Sequence, residues 1–503
     1  MRTAAEFTGP GGPSPDEAEP PVSPRARRGF RLVALVAGAL PVLAFPRAGL
    51  DWLAWVALVP GLLVVRAAAT GREAAVRGWW FGAGFLTAAL YWLIPNIGPA
   101  LVLVAAGAGV LWAGWGYAAW ALLRPGRLAA ALVVVPSVWA VGEWLRSWHA
   151  LGGPWALYGA TQWRHPTVLS LASLGGVWLV TFALVAVNTA VAMVLIARSA
   201  TAGVLAALIG LSGPVVYTPS PEAAGRPMRI ALVQPGVVDG PDRRFADGER
   251  ITAALPAVDL VVWGESSVGF DLDERPDLVA RLTALARVHG PLLVNEDARD
   301  ASGRISKSAV LIGPDGIESR YVKNLLVPFG EYIPLRRELG WVAHISEAAK
   351  EDRVPGTGIV LMRAGTGPGA VTFGPLICFE SAFPDQSRAV VRRGAHLIVY
   401  ESATSTFQGS WAPPQHASLG AVRAAETGRP VVQAALTGVS AAFDAKGRRL
   451  AWLDTSRRGS VLVKVAPAAG RTPYDRFGDY VPWLAVGVVL VSGWCAVRTR
   501  RGR

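Results

Sequence analysis

The chain is poor in what a soluble enzyme of 503 residues usually carries. Only 17% of its residues are charged, and acids are scarcer than bases, 36 against 49. A soluble domain carries about 25% charged residues. There are two cysteines, Cys378 and Cys495, which excludes a small disulfide-stapled scaffold. Lysine occurs five times against 44 arginines. The six histidines, at 149, 165, 289, 344, 396 and 416, include no close pair at metal-ligand spacing, so no metal site is expected.

Apolar residues fill the space, at 52% of the chain. The first 29 residues are the exception: their Gly/Pro-rich and acidic segments lack the apolar content needed to offset the entropy of ordering, and they read as a disordered tail. From there to residue 220, sparse charges separate apolar runs at 32–46, 52–65, 78–123, 128–142, 166–197 and 199–220. The first two are short and read as tilted spans or a re-entrant hairpin. The third is long enough for two spans turning at Pro95–Pro99. A last run at 481–497 makes about eight spans.

An even number puts both termini on one side. With that side cytoplasmic, the inner ends hold Arg25, Arg27, Arg28, Arg31, Arg66, Arg72, Arg77, Arg124, Arg127, Arg198, Arg498, Arg500, Arg501 and Arg503. The outer loops hold only Arg47, Arg146 and Arg164. This asymmetry is the positive-inside bias. It explains much of the +13 net charge without nucleic acid as a partner, and it places region 221–470 outside the cytoplasm. Glu143 and Arg146 stand three apart near a membrane edge, as a structural pair or a functional one. Trp148, Trp155 and Trp163 suit an outer interfacial belt.

Region 221–470 changes period. Short β-rich runs recur at 230–233, 260–263, 292–294, 309–312, 376–377, 397–400 and 431–432, with helical patterns such as 277–288 and 416–427 between several of them. Uninterrupted apolar strands alternating with helices predict an α/β domain whose sheet is buried on both faces. Three polar residues follow strand ends: Glu265, Lys323 and Cys378. A thiol needs a base to become a nucleophile, a neighbouring cation favours its anion, and an ammonium stabilises an oxyanion. Together they suit acyl transfer. The bland alternatives are a small core thiol and two solvated loop charges, although Cys378 is the one cysteine of this region and lysine is rare.

The flanking residues carry a resemblance. Tyr321-Val322-Lys323-Asn324-Leu325-Leu326-Val327-Pro328-Phe329-Gly330-Glu331-Tyr332-Ile333-Pro334, Val262-Trp263-Gly264-Glu265-Ser266 and Ile377-Cys378-Phe379-Glu380-Ser381 resemble the lysine, glutamate and nucleophile segments of the nitrilase (carbon–nitrogen hydrolase) superfamily. With the spans, and with Glu143-Trp144-Leu145-Arg146, Gly153-Pro154-Trp155 and Arg471–Gly478, the chain is similar to that superfamily's membrane-embedded apolipoprotein N-acyltransferase family. The resemblance implies a polytopic α-helical membrane bundle (30–220) and an extracytoplasmic nitrilase-like α-β-β-α sandwich (221–470). A C-terminal span and basic cytoplasmic tail (471–503) would follow, in a multi-pass protein of a bacterial cytoplasmic membrane.

It also implies a ping-pong reaction without a cofactor. Cys378 would take an acyl chain from a phospholipid as a thioester and pass it to the α-amino group of a diacylglyceryl-modified apolipoprotein cysteine. Glu265 would be the base and Lys323 the oxyanion partner, with Glu331 and Glu380 as supporting acids. Phe329, Phe379, Trp148 and Trp155 are candidate substrate-binding aromatics. Two departures stand out. Phe379 replaces a common Tyr, and Glu401–Gly409 replaces an Asn-Asp…Trp-Phe-Gly stretch. The alternatives are a membrane-tethered amidase using water, and a non-catalytic scaffold or transporter.

Overall fold

The computed structural model describes residues 23–213, 222–299, 303–344, 352–365 and 369–501. Most of the expected N-terminal tail lies outside them, but its last residues do not fit that reading. A helix begins at Pro24 and runs to Ala39, with the Ser23 hydroxyl accepting the Ala26 N–H at 3.3 Å. An N-cap hydroxyl satisfies one of the four orphan donors at a helix start.

Among the described residues five helices are long and apolar enough to cross a membrane: Gly71–Ile97, Ala100–Leu122, Leu128–Arg146, Pro166–Ala197 and Tyr480–Arg498. The other expected spans are shorter helices, Pro24–Ala39, Val59–Arg66 and Ala200–Gly210. Pro41 and Pro46 interrupt the first run, and residues 214–220 of the 199–220 run lie outside the described residues. Proline removes an N–H and clashes with the preceding turn, so such runs continue as 3-10 turns such as Leu40–Ala44.

The bundle packs by backbone contact and aromatic filling. A Cβ on Gly84 would fall 2.0 Å from the Leu35 carbonyl oxygen, so only glycine lets these two helices meet there. Trp112, Trp115 and Trp139 are buried against Phe81 and Phe85. At one end of the bundle Glu73 bridges Arg31 at 2.7 Å and Arg77 at 3.3 Å. Glu143 offers its oxygens to the Tyr158 N–H (2.8 Å) and the Thr181 hydroxyl (3.0 Å). It thereby braces the loop after its helix rather than pairing with Arg146.

The following region is two six-stranded sheets. The first has the order Gly459–Val465, Met228–Gln234, Leu260–Val262, Leu292–Arg299, Ile305–Gly313, Gly316–Val322. The second runs Arg449–Leu453, Ser440–Phe443, Val431–Ala435, Leu397–Ser402, Val371–Ile377, Met362–Ala364. Each is parallel at its centre and antiparallel towards its edges.

Successive strand residues point to opposite faces. Ala231 and Val233 therefore pack with helices Pro241–Ala253 and Pro276–His289, while Ile230 and Leu232 join the core shared with the second sheet. The second sheet is flanked by Pro384–Arg392 and Ala412–Thr427. The layers are helix, sheet, sheet, helix, as expected. Gly264 lies where the sheets meet, since a Cβ there would fall 1.9 Å from the Leu436 nitrogen.

The sandwich rests on one end of the bundle. Arg47 donates to the carbonyls of Gly409 and Ser410, the Tyr91 hydroxyl accepts the Trp411 N–H at 3.0 Å, and Trp155 Nε1 donates to Gln415 Oε1 at 3.0 Å. The segment flagged as divergent, Glu401–Gly409, thus supplies part of this joint, with the Phe407 ring 4.7 Å from that of Trp92.

Candidate active site

Three strands of the two sheets end at one point. Leu260–Val262 delivers Glu265, Gly316–Val322 delivers Lys323 and Val371–Ile377 delivers Cys378. The Glu265 N–H donates to the Ser402 carbonyl at 3.2 Å, linking the first sheet to the second. Cys378 turns the chain from strand to a 3-10 turn with φ +49°. A non-glycine residue in this left-handed region is strained, and such strain persists where surrounding structure enforces it. The turn leaves Cys378 partly exposed, with Sγ 3.7 Å from the Ala403 carbonyl oxygen.

Lys323 is buried between two carboxylates. Its Nζ lies 3.0 Å from Glu265 Oε1 and 2.9 Å from Glu331 Oε2. Burial alone would push the ammonium towards neutrality, but Glu265 and Glu331 hold it well above the usual lysine value. Glu265 is also buried, which by itself favours the protonated acid, yet Lys307 and Lys323 hold it well below the carboxylate range. The Cys378 thiol is pushed up to about 12 by burial and by the Glu265 charge, with Lys323 acting the other way.

The two supporting acids have different partners. Glu331 accepts from Lys323, from Arg353 at 2.7 Å and from the Val327 N–H at 2.9 Å, so it sets the ammonium's position. Glu380 touches neither Lys323 nor Cys378 through a hydrogen bond. It accepts the Tyr321 hydroxyl (2.8 Å) and the N–H groups of Asn324 (2.7 Å), Leu325 (3.1 Å) and Ile377 (2.7 Å). One buried carboxylate therefore ties the lysine strand to the Cys378 turn. In Glu380→Gln the amide must point a donor at one of these donors. We expect a loss of about 1–3 kcal/mol of stability, read as a lower thermal midpoint, together with slower acylation.

The candidate aromatics divide. Phe379 is buried, 5.0 Å from Phe383 ring to ring, and both press on Gly153 of the bundle. Trp155 is buried and stacked on His416. Trp148 is half exposed beside Trp144. Phe329 sits in the tight turn after the lysine, its N–H on the Tyr332 carbonyl at 2.7 Å with φ +61°. Phe379 and Trp155 flank the Cys378 turn, whereas Trp148 is on the bundle's surface.

His416 underlies Cys378. Nε2 lies 3.0 Å from the Cys378 carbonyl oxygen and Nδ1 lies 3.3 Å from the Ser402 hydroxyl. Burial pushes it down to about 4, so the ring is neutral and structural.

Sequence reasoning missed Lys307. It is buried, 3.4 Å from Glu265 Oε1 and 3.2 Å from Asp297, and it donates to the Ser266 hydroxyl. The rarity of lysine, used to single out Lys323, applied equally to it. Asn295 was missed too. It accepts the Ser266 N–H at 2.8 Å and donates to the buried Glu401 at 3.0 Å.

A strained cysteine, a lysine held by two glutamates and a four-layer sandwich define a thiol enzyme of the carbon–nitrogen hydrolase class. Residues 205–473 match the family described as carbon-nitrogen hydrolase, and residues 37–190 match the apolipoprotein N-acyltransferase N-terminal domain. The chain is 30% identical to an apolipoprotein N-acyltransferase of Geobacter metallireducens, covering 93% of this chain and 95% of that one. It is 31% identical to one of Methylococcus capsulatus, covering 93% and 96%. Among solved structures, an amidase from Nesterenkonia sp. aligns over 50% of this chain and 94% of its own, at 18% identity and a TM-score of 0.35. The chain belongs to the apolipoprotein N-acyltransferase family and is a membrane-bound acyltransferase.

Proposed function

We propose that Cys378 takes a fatty acyl chain from a phospholipid and passes it to the α-amino group of a diacylglyceryl-cysteine at the N-terminus of an apolipoprotein. The observation that carries this reading is the Lys323 ammonium shared by Glu265 and Glu331 beside a partly exposed cysteine. With the thiol pushed up to about 12 by burial and by the Glu265 charge, the neutral thiol is the resting form at neutral pH. The proton must therefore leave as the sulfur attacks, and Glu265 is the acceptor.

An ammonium has three donors. Two of those on Lys323 serve the carboxylates, and the third serves the oxyanion that forms on the ester carbonyl. As negative charge grows there, the ammonium's hold on Glu265 weakens and the carboxylate becomes a better base. The attack has formed the S–C bond. Collapse of the tetrahedral intermediate re-forms the carbonyl and breaks the ester C–O bond, and the departing lysophospholipid alkoxide takes the proton from Glu265. The acceptor amine then attacks the thioester, its proton passes to Glu265, and the thiol is restored.

Both substrates are lipids, so the site belongs at a membrane surface. The contacts of Gly153 with Phe379 and Phe383, and of Trp155 with His416, place bundle loops beside the nucleophile turn. Eight traverses with both termini cytoplasmic suit the packing. The ends carrying Arg31, Arg66 and Arg77 cluster, with Arg66 Nε on the Leu123 carbonyl at 2.7 Å and Arg77 Nη1 on that of Val64 at 2.8 Å. The sandwich contacts Arg47, Tyr91 and Trp155 instead. Ser170 donates to the Gly213 carbonyl at 2.7 Å, so the last helix before the sandwich returns to the level where the preceding one began. The arginine-rich end then faces the cytoplasm and the sandwich the other side.

The test is mass spectrometry of the full chain incubated with phospholipid. An acyl adduct on Cys378, discharged by a diacylglyceryl-cysteine peptide, is expected. Discharge by water at the same rate would make the protein a hydrolase, and no adduct in folded protein would remove the acyl-transfer reading.

Lys307 gives a pH test. In Lys307→Gln, Glu265 loses one of its two cations, and its value rises by about one pH unit or more. The carboxylate is the active form, so activity is lost as pH falls through that value. The acid limb of the acylation rate should move to higher pH in the variant, while the rate well above it is retained. A uniform loss at every pH would assign Lys307 to packing alone.

A further inference from the structure

A cavity of about 250 Å³ lies on the joint between sandwich and bundle, away from the catalytic centre. Its bundle wall is the start of helix Pro166–Ala197, at Thr167 and Ser170, and its other wall comes from the sandwich and the segment leading into the last span. Five cationic side chains line it: Arg429, Lys446, Arg448, Arg471 and Arg476. Two carboxylates oppose them, Glu222 in the lining and Asp475, which is bonded to Arg471.

Arg429 is buried and spends its donors on the carbonyls of Ala395 (2.8 Å), Gly428 (3.2 Å) and Gly470 (2.7 Å), and the Asp475 and Glu222 carboxylates offset part of its charge without bonding to it. Lys446, Arg448 and Arg476 make no ion pair among the described residues. Cations gathered against a low-dielectric wall repel one another and focus a positive field into the space between them.

We infer that this cavity binds a phosphate-bearing anion, the headgroup of an anionic glycerophospholipid distinct from the acyl donor. Three features support this. Its net charge selects an anion, and guanidinium groups suit phosphate oxygens. It opens where the longest span leaves the membrane on the sandwich side, so a lipid can present its phosphate there with its chains still in the bilayer.

The third feature is distance from Cys378. Helix Ala412–Thr427 places His416 under the nucleophile and Thr427 in the cavity lining. These positions are about 16 Å apart along the helix. The phosphate and ester carbonyl of one phospholipid are only a few bonds apart, so a lipid held here does not present its ester to the thiol. The inference rests on the membrane placement above and not on the acyl transfer.

The experiment uses the full chain in detergent, with phosphatidylglycerol, phosphatidylcholine and inorganic phosphate titrated separately against the thermal unfolding midpoint. Phosphatidylglycerol is expected to raise the midpoint and phosphatidylcholine to leave it unchanged. The double variant Lys446→Glu, Arg448→Glu alters two side chains outside the catalytic machinery. It should weaken the phosphatidylglycerol effect at least about tenfold, with thioester formation on Cys378 unchanged. An equal response to inorganic phosphate, abolished in the same variant, would mark the ligand as a soluble anion and overturn the lipid assignment. Equal responses to both lipids, or unaltered binding in the variant, would overturn the site itself. Thioester formation, read on the same samples, shows independently whether the catalytic reading stands.

Discussion

Cys378→Ala is expected to abolish the acyl-enzyme, and Cys378→Ser to slow its formation by at least about 10⁴-fold, the scale on which losing a catalytic nucleophile acts. The native thiol is pushed up to about 12 by burial and by the Glu265 charge, so the proposed attack requires Glu265 to take its proton as the sulfur moves. A serine hydroxyl is a far weaker acid in the same position, and the same base has more to do. Neither variant should unfold the domain. The φ of +49° is set by the flanking strand and by Glu380, which holds the Ile377 N–H at 2.7 Å, and Ala or Ser adopts it at the cost Cys already bears.

The check is intact mass after exposure to phospholipid, beside circular dichroism of the same samples. An acyl adduct of normal yield on Cys378→Ala would place the nucleophile elsewhere. The native thiol should also alkylate slowly at neutral pH, about tenfold faster for each pH unit gained below its value of about 12.

Glu265 and Cys378 were legible because each follows a buried apolar strand, and strand ends collect at a crevice when a sheet is buried on both faces. Lys323 follows Gly316–Val322, whose Glu318 and Arg320 break the apolar pattern, and it was marked instead by the rarity of lysine and by its flanking residues. Local sequence holds that information. Lys307 was not legible, because what makes it part of the site is register. The Leu292–Arg299 and Ile305–Gly313 strands pair Asp297 with Lys307, and only that pairing carries its ammonium towards Glu265.

Glu380 shows a second kind of limit. Its place two residues after Cys378 marked it as a supporting acid without saying what it supports, while its partners are the Tyr321 hydroxyl, N–H groups from residues 56 and 55 positions earlier in the chain, and that of Ile377. The count of spans was limited by prolines, which break apolar runs into short helices that a composition window cannot tell from one crossing. The Glu401–Gly409 departure acquires a physical setting as well. Ser402 and Ala403 present carbonyls to Glu265 and Cys378, and the residues after them dock on Arg47 and Trp92.

Lys323→Met should lower the acylation rate by about 10²–10³-fold, the loss measured when one oxyanion donor is removed from a preorganised site. The longer consequence is electrostatic. Glu265 and Glu331 meet the same ammonium at 3.0 and 2.9 Å. Without it, Glu331 keeps Arg353 at 2.7 Å and Glu265 keeps Lys307 at 3.4 Å, so each carboxylate retains one cation and loses the one they shared. Glu265 then holds a proton more readily, and acylation should fall further as pH is lowered, on top of the loss at every pH.

Glu331→Gln removes a positioning contact and leaves the ammonium in place, so it should cost less than Lys323→Met and shift the acid limb little. The double variant separates the roles. Since Glu331 acts through Lys323, adding Glu331→Gln to Lys323→Met should cost far less than it costs alone, a non-additivity expected of residues that work as a unit. Single-turnover acylation measured for the two single variants and the pair gives the coupling, and fully additive losses would mean that Glu331 meets the substrate on its own account.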